Sequence, residues 1–395
     1  MPAALEAFLI FLRLGLTSFG GPIAHLGYFR TEFVERRAWL SEAAYADLVA
    51  LCQFLPGPAS SQVGFALGLK RAGVLGGLAA WLGFTAPSAL IMFAVASGLE
   101  WFAGPWGQAV AHGLKLVAVA VVAHAVFNMA RALCRTWPRI AIAVAVAAAL
   151  LAFQLAWLQP AAIALGGLIG LWFATAPAPQ TSGLGAPGRF KAAWILTLLF
   201  LALLLGLPLL AAAHPLIAIA DAFYRAGALV FGGGHVVLPL LEAETVERGW
   251  LSADAFLTGY GAAQAVPGPL FTFAAFLGAA GPGSADPAWA SLIALIFVFL
   301  PGLLLVAAAM PVWDAVKSRP RALAFVAGAN AAVVGVLGAA LYDPIIASAV
   351  AGPRDLALAC LGFLALQLLK APPWSVVLGL GAAGAALSLA ANLGL

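Results

Sequence analysis

Charge is scarce in this chain. Only 9% of its 395 residues are Asp, Glu, Lys or Arg, against roughly 25% in a soluble domain, which excludes an ordinary globular protein. Disorder is excluded by the opposite excess, because 64% of the residues are hydrophobic. Cysteine is rare as well. Cys52, Cys134 and Cys360 stand far apart with no CxxC spacing, so neither a metal site nor a disulfide framework is indicated. No HExxH or comparable grouping occurs, which argues against an intramembrane enzyme and implies no cofactor. A basic leader is also missing. The opening MPAALEAFLIFLRLGL reads as a first membrane helix rather than a cleavable signal. The net charge of +4 would suggest nucleic acid in a soluble chain. Here it fits Lys- and Arg-enriched loops on the cytoplasmic side of a membrane.

What fills the chain instead is apolar sequence. The mean hydropathy is +1.05, spread over stretches near the roughly 20 residues a spanning helix requires. The expected fold is an all-α polytopic membrane protein embedded in a lipid bilayer. Two halves are visible within it. FLRLGLTSFGGP (11–22) lies over FYRAGALVFGGG (223–234), pairing Phe11 with Phe223, Arg13 with Arg225 and Gly20 with Gly232. EFVERRAWLS (32–41) lies over ETVERGWLS (244–252) with one residue deleted, and QFLPGP (53–58) over QAVPGP (264–269). Arg, Glu, Trp and Gln are scarce here, so their coincidence in one register marks homologous halves.

Candidate spans of the first half are 3–20, 41–69, 73–99, 107–129, 139–157 and 160–175. Those of the second are 215–232, 252–279, 288–312, 321–343, 354–370 and 373–393. This divides the chain into an N-terminal half (1–175), a connecting region (176–214) and a C-terminal half (215–395). The connecting region holds a polar linker at 176–188 and one unmatched apolar segment at 192–212.

Parity decides orientation. Segments 41–69 and 252–279 are broken by Pro-Gly-Pro. If each crosses once, the unmatched helix makes the count odd and the second half starts on the opposite side. The result is an inverted repeat of about thirteen spans. Lys70, Arg71, Arg131, Arg135, Arg139, Arg189, Lys191, Lys317, Arg319 and Arg321 then lie inside. One loop disagrees, since 28–37, with Arg30, Arg36 and Arg37, would lie outside. Re-entrant breaks would move that loop inside but, on this count, make the halves parallel. The inverted arrangement with crossing breaks is the expectation.

The breaks are the first candidate site. Proline removes a backbone donor, and freed backbone at membrane depth is tolerated only where it is buried in protein or lines a cavity. Helix N-termini made this way carry partial positive charge and unpaired N–H groups that suit an anion. Pro56, Gly57 and Pro58 are followed by Ser60, Ser61 and Gln62, and Pro267, Gly268 and Pro269 by Thr272. Matched breaks in two halves point to a transporter site more than to simple kinks. Arg13 and Arg225 sit in otherwise apolar first helices and Lys115 in another, so they are candidate partners for an anion, with snorkelling or acid pairing as the alternative. Gly20, Gly21, Gly232 and Gly233 allow a tight, ligand-approaching turn. Gln53 and Gln264 immediately precede the breaks and can hydrogen-bond an oxyanion. His25, His235 and Asp47 are candidates for carrying a coupling proton. Glu32, Glu35 and Arg36, like Glu244, Glu247 and Arg248, have the spacing of ion pairs along an interfacial helix, with gating as the further reading.

At this point the motifs coincide with a family. FGGPIAHLGYFRTEFVERRAWLSEAAYADLVALCQFLPGPASSQVGFALGLKRAG closely resembles the signature domain of the chromate ion transporter family. The second half, with FGGGHVVLPLLEAETVERGWLS and QAVPGP, is similar to that family's second, diverged domain, as in its long, two-domain type. The resemblance implies an inner-membrane secondary transporter that moves chromate out of the cytoplasm and confers chromate resistance. Sulfate or another tetrahedral oxyanion is the natural alternative solute and protons a candidate coupling ion, and a homodimer is compatible with it. The second half lacks the Ser-Ser of the first, which sets the two halves apart at the site.

Overall fold

The computed structural model describes all residues except 154, 156, 174–189, 232–233, 282–285, 314–318 and 393–395. The linker expected at 176–188, Gly232, Gly233, Arg189 and Lys317 therefore lie outside the described residues. Within these the chain is helical, with no strand. Five stretches are long and apolar enough to cross a membrane: Ala59–Ser97, Trp106–Leu133, Lys191–Ala213, Pro287–Val312 and Pro320–Ala349.

The first half begins with two hairpins rather than two crossings. Helix α1 (Ala3–Thr17) stops at Ser18. Gly20 and Gly21 then take φ of +102° and +76°, left-handed angles that glycine adopts without strain. Helix α2 (Gly21–Arg30) returns beside α1, placing Phe29 and Phe33 against Phe11. A π-helical turn over Thr31–Arg36 brings Arg37 back to Glu6 in the first turn of α1. Helix α3 (Glu42–Phe54) starts at this same face, capped by the Ser41 hydroxyl, and runs inward to the first break.

Helix α4 (Ala59–Ser97) is bent into two arms, because Ala72 and Gly73 leave helical geometry. The arms fold against each other where Gly68 meets Gly76, each too close for a Cβ. The first arm ends at Arg71, which pairs with Glu6 at 2.7 Å and lies over Trp39. The starts of α1 and α3 and the end of this arm thus share one face. Segment 41–69 is therefore a re-entrant hairpin, which corrects the expected crossing. The second arm, residues 74–97, is about 36 Å long at ~1.5 Å per residue and reaches the far face.

Helix α5 (Pro105–Leu133) returns from there. Helices α6 (Trp137–Ala152) and α7 (Leu158–Phe173) form a further pair. Helix α8 (Phe190–Leu210) is the unmatched span, and it leaves Trp194, Ile195, Leu198 and Leu205 exposed, as befits a lipid-facing helix. The second half repeats the plan with α9 (Pro215–Ala228), α10 (Val237–Thr245), α11 (Ala253–Ala263), the second break, α12 (Phe273–Ala280) and α13 (Pro287–Ala309). It closes with α14 (Pro320–Ala340), α15 (Pro353–Gln367) and α16 (Pro373–Asn392).

Lys115, about three turns into α5, pairs with Asp254 in the first turn of α11 at 2.9 Å, and His112, one turn nearer the far face, meets Asp355 in the first turn of α15 at 2.9 Å. The hairpins of the second half therefore open toward the far face, and those of the first toward the near face. Both hairpins of a half return to their own face, so they leave the parity of crossings unchanged. The discordant loop 28–37 now joins Lys70 and Arg71 on the near face. The candidate spans leave residues 21–40 outside any helix pair, so the count from sequence misses the returning helix α2.

The halves also exchange helices. In α5, Gly113 abuts Gly381 and Gly384 of α16, and in α14 the equivalent Gly328 abuts Gly166 and Gly170 of α7. Small residues let backbones approach closely where lipid offers no hydrophobic drive between helices.

Candidate functional site

The two breaks cross at the centre of the molecule. The Gly57 N–H donates to the Val230 carbonyl at 2.7 Å, and the Gly268 N–H donates to the Ser18 carbonyl at 2.9 Å. Ser18 and Val230 occupy the same place in the repeat, so each half's break caps the last turn of the other half's first helix. Gly57 and Gly268 hold φ of +123° and +94°. A Cβ on Gly57 would lie 2.9 Å from the Gly302 Cα, and one on Gly268 would lie 2.7 Å from the Ser88 Oγ. The turns after the first helices meet here too, with Gly234 standing against Pro22.

The start of α4 is the most polar part of this centre. Pro58 precedes it without a side-chain cap, and the first backbone bond of the helix runs from the Gln62 N–H to the Pro58 carbonyl at 2.9 Å. The N–H groups of Ala59, Ser60 and Ser61 are the orphan donors of a helix start, at its positive end. Ser61 is 2% exposed and its hydroxyl has no partner. The buried hydroxyls of Ser18 and Thr85 also lack one. Gln62 donates through Nε2 to the Pro56 carbonyl at 2.9 Å and to the Gly302 carbonyl of α13 at 3.0 Å, tying this break to the other half. His25 is fully buried. Its Nε2 lies 3.2 Å from the Ser18 carbonyl and its Nδ1 3.4 Å from the Ser60 Oγ, with the ring edge-on to Phe84.

The second break is built differently. In register with Ser60, Ser61 and Gln62 stand Phe271, Thr272 and Phe273. The Thr272 hydroxyl donates to the Pro269 carbonyl at 2.8 Å, which leaves it committed within its own turn. His235 meets the Tyr260 hydroxyl at 2.8 Å, and Gln264 keeps a buried Nε2 without a partner. Gln53, the repeat equivalent of Gln264, is exposed.

The deep cations do not gather at the breaks. Arg225 binds both carboxylate oxygens of Asp221, at 3.0 and 2.9 Å, and also Glu244 at 2.9 Å. Arg248 joins the same cluster through Glu244 at 2.7 Å. Arg13 is exposed and acts on Glu32, and Lys115 is held by Asp254. The reason is local. Asp221 stands one turn before Arg225 on the same helix, and a helix that turns back after Ser18 or Val230 also brings the connector acids Glu32 or Glu244 alongside its arginine. The near face is laced likewise: Glu32 binds Arg37 at 2.7 Å and Arg36 at 3.5 Å, and Arg30 binds Glu35 and Glu42. Burial pushes the Glu32 carboxyl up, but the hydrogen bond and charge of Arg37, with Arg13 and Arg36 behind it, hold it below the usual range. Asp47 lies half-buried on α3.

Sequence reasoning passed over Ser18, Thr85, Ser88 and Gly302. Their only signal is a hydroxyl or glycine near Ser-Phe-Gly-Gly, Pro87 or Pro301, and it becomes legible once the two halves are seen to cross. No group of three or more His, Cys, Asp or Glu that could hold a metal ion occurs among the described residues.

The family model described as Chromate transporter matches this chain twice, over residues 5–171 and 217–385. The chain belongs to the chromate transporter family. The two matches coincide with the two halves of the fold. Among relatives, the chain is similar to the chromate transport protein of Pseudomonas aeruginosa, with 30% identity over 86% of this chain and 80% of the relative. It is equally similar to that of Cupriavidus metallidurans, 30% identical over 85% of this chain and 81% of the relative. An uncharacterized transporter of Methanocaldococcus jannaschii is 27% identical over 80% of this chain and 78% of the relative. No solved structure matches the chain. Like the family, it is a multi-pass membrane transporter.

Proposed function

We propose that this chromate-transporter-family protein exports chromate from the cytoplasm across the inner membrane, conferring chromate resistance, and binds it at the start of α4. The observation that carries the reading is the uncapped N-terminus of α4 with the unpartnered hydroxyl of Ser61, buried where the halves cross. Chromate is a tetrahedral dianion. A helix start with free N–H groups and hydroxyl donors suits such a ligand without an arginine. The chromate transport proteins among its relatives support the solute. Sulfate has the same shape and charge, and hydroxyl and N–H donors alone do not distinguish the two.

The near face carries Arg30, Arg36, Arg37, Lys70 and Arg71 and faces the cytoplasm by the positive-inside rule. The halves then form an inverted repeat, the first opening inward and the second outward, with boundaries at 1–175 and 215–395. Alternating access follows from withdrawing the hairpins of one half from the break of the other.

The test is labelled chromate flux in proteoliposomes, with sulfate as competitor and imposed proton and potential gradients. Uphill chromate movement that collapses with the gradient is expected. Flux that only equilibrates chromate would mark a channel, and none above empty liposomes would refute the reading.

A further inference from the structure

We infer that His25 is a protonation switch of the oxyanion site, acting through the hydroxyl of Ser60. The inference rests on the reading of the α4 start as the place where the anion binds.

The geometry fixes the tautomer. A carbonyl oxygen only accepts, so the His25 Nε2 that faces the Ser18 carbonyl at 3.2 Å carries a hydrogen. A neutral imidazole has one donor and one acceptor, so Nδ1 is then a lone pair. The Ser60 hydroxyl, 3.4 Å away, must donate to it. In this state Ser60 spends its only hydrogen on the ring, and its oxygen lone pairs are what remains for the anion. Adding a proton from solution to Nδ1 reverses the bond. The ring now donates to Ser60, and the freed hydroxyl hydrogen can turn toward a ligand beside Ser61. One event therefore adds a donor and a full positive charge next to the helix start. No bond to chromium forms or breaks, and the metal keeps its oxidation state.

The surroundings leave this role to His25. From α1 the ring meets the Ser18 carbonyl, and the charged groups of that helix are Glu6, at the near face, and Arg13, which is exposed. Helix α2 and the π-helical turn carry Arg30, Glu32, Glu35 and Arg36, which are engaged in near-face ion pairs. Helix α3 contributes Tyr45, whose hydroxyl donates to the Leu26 carbonyl at 2.6 Å, with Asp47 and the buried Cys52 on the same helix. From α4 come Ser60 and Phe84, while Lys70 and Arg71 lie at the other end of the first arm. The second half contributes the Gly268 N–H on the same Ser18 carbonyl, an uncharged contact. With Arg225 and Lys115 held in ion pairs, a dianion at the α4 start draws its counter-charge from the helix end and from protonated His25. The second half places its histidine elsewhere: Val237 and Phe271 stand in register with His25 and Ser60, and His235 meets the Tyr260 hydroxyl of α11 at 2.8 Å instead of a hydroxyl at a helix start. One proton is then bound with each anion at this site, and the pair keeps one negative charge, so an inside-negative potential favours its outward movement.

The experiment is calorimetric titration of the full-length protein in nanodiscs. Sulfate stays a dianion throughout and is the probe from about pH 6 to about pH 9; chromate is added at the alkaline end. Measuring in buffers of different ionisation heat counts the protons taken up. Wild-type protein is expected to take up about one proton per anion, with apparent Kd weakening up to about 10-fold per pH unit toward alkaline pH. His25→Gln keeps a donor for Ser18 and is expected to bind weakly, with no proton uptake and a flat pH profile. Ser60→Ala is expected to lose affinity several-fold and to take up clearly less than one proton, because only the charge of His25 then reaches the anion, and its count stands even if His25→Gln fails to fold. Anion binding by the wild type without proton uptake would overturn the switch alone. So would undiminished uptake in His25→Gln, or wild-type affinity and uptake in Ser60→Ala. Absence of both sulfate and chromate binding at every pH would overturn the oxyanion site, and the switch with it.

Discussion

The two halves share a backbone plan and differ in what they place on it. Each has a first helix ending in a glycine turn, a returning helix and a Pro-Gly-Pro hairpin whose glycine caps the opposite half. At the first break this frame carries His25, Ser60, Ser61 and Gln62. At the second it carries Val237, Phe271, Thr272 and Phe273. The arginines differ in the reverse sense: Arg225 is locked to buried Asp221 and Glu244, whereas its partner Arg13 is exposed. Symmetry of fold is thus kept by glycines and prolines, where the backbone allows little else. Chemistry has diverged at side chains, where the frame is indifferent.

That contrast can be broken or sharpened by substitution. The largest effects should be equal in the two halves. Gly57→Ala and Gly268→Ala force a side chain into left-handed backbone and against Gly302 or Ser88. Each should cost about 3 kcal/mol or more and remove folded protein from the membrane, as read by size-exclusion of a fluorescent fusion. A normal elution profile for either would break the reciprocal brace.

The next effect should be lopsided. Arg225→Ala leaves buried Asp221 with only Arg248, at 3.8 Å, and should cost about 3 kcal/mol in thermal unfolding. Arg13→Ala should stay within about 0.5 kcal/mol. Smaller again, Ser61→Ala should cut chromate transport about 10-fold or more by removing a donor to a charged ligand. Thr272→Val should leave the transport rate within about 2-fold, because that hydroxyl serves its own turn. The smallest is Gln53→Ala, exposed in the structure, which should leave stability and flux unchanged within about 0.5 kcal/mol.

Much of this was legible in the residues. The repeat, the breaks and Ser60-Ser61 all showed in sequence, because scarce residues in an apolar chain stand out. The topology did not. Residues 21–30 are too short to span and fall between the candidate spans, yet the positive φ of Gly20 and Gly21 turns them into the second limb of a hairpin. The role given to the arginines also failed to follow from sequence. The matched positions of Arg13 and Arg225 show in the residues, as does Asp221 one turn before Arg225, but the turn that carries the connector acids back beside them is a tertiary event. Ser18, Ser88 and Gly302 become meaningful only where one half's break lies across the other half's helices.

The exchanged packing of α5 with α16 and of α14 with α7 has a consequence for how such a protein can be assembled or cut. Neither portion is a closed body, since each leaves a groove that its sibling fills. Two polypeptides made by severing the chain near α8 would have to insert in opposing orientations and clasp before either was complete. Seen this way, the lone odd helix is the tether that lets a single ribosome deliver both members of an antiparallel pair.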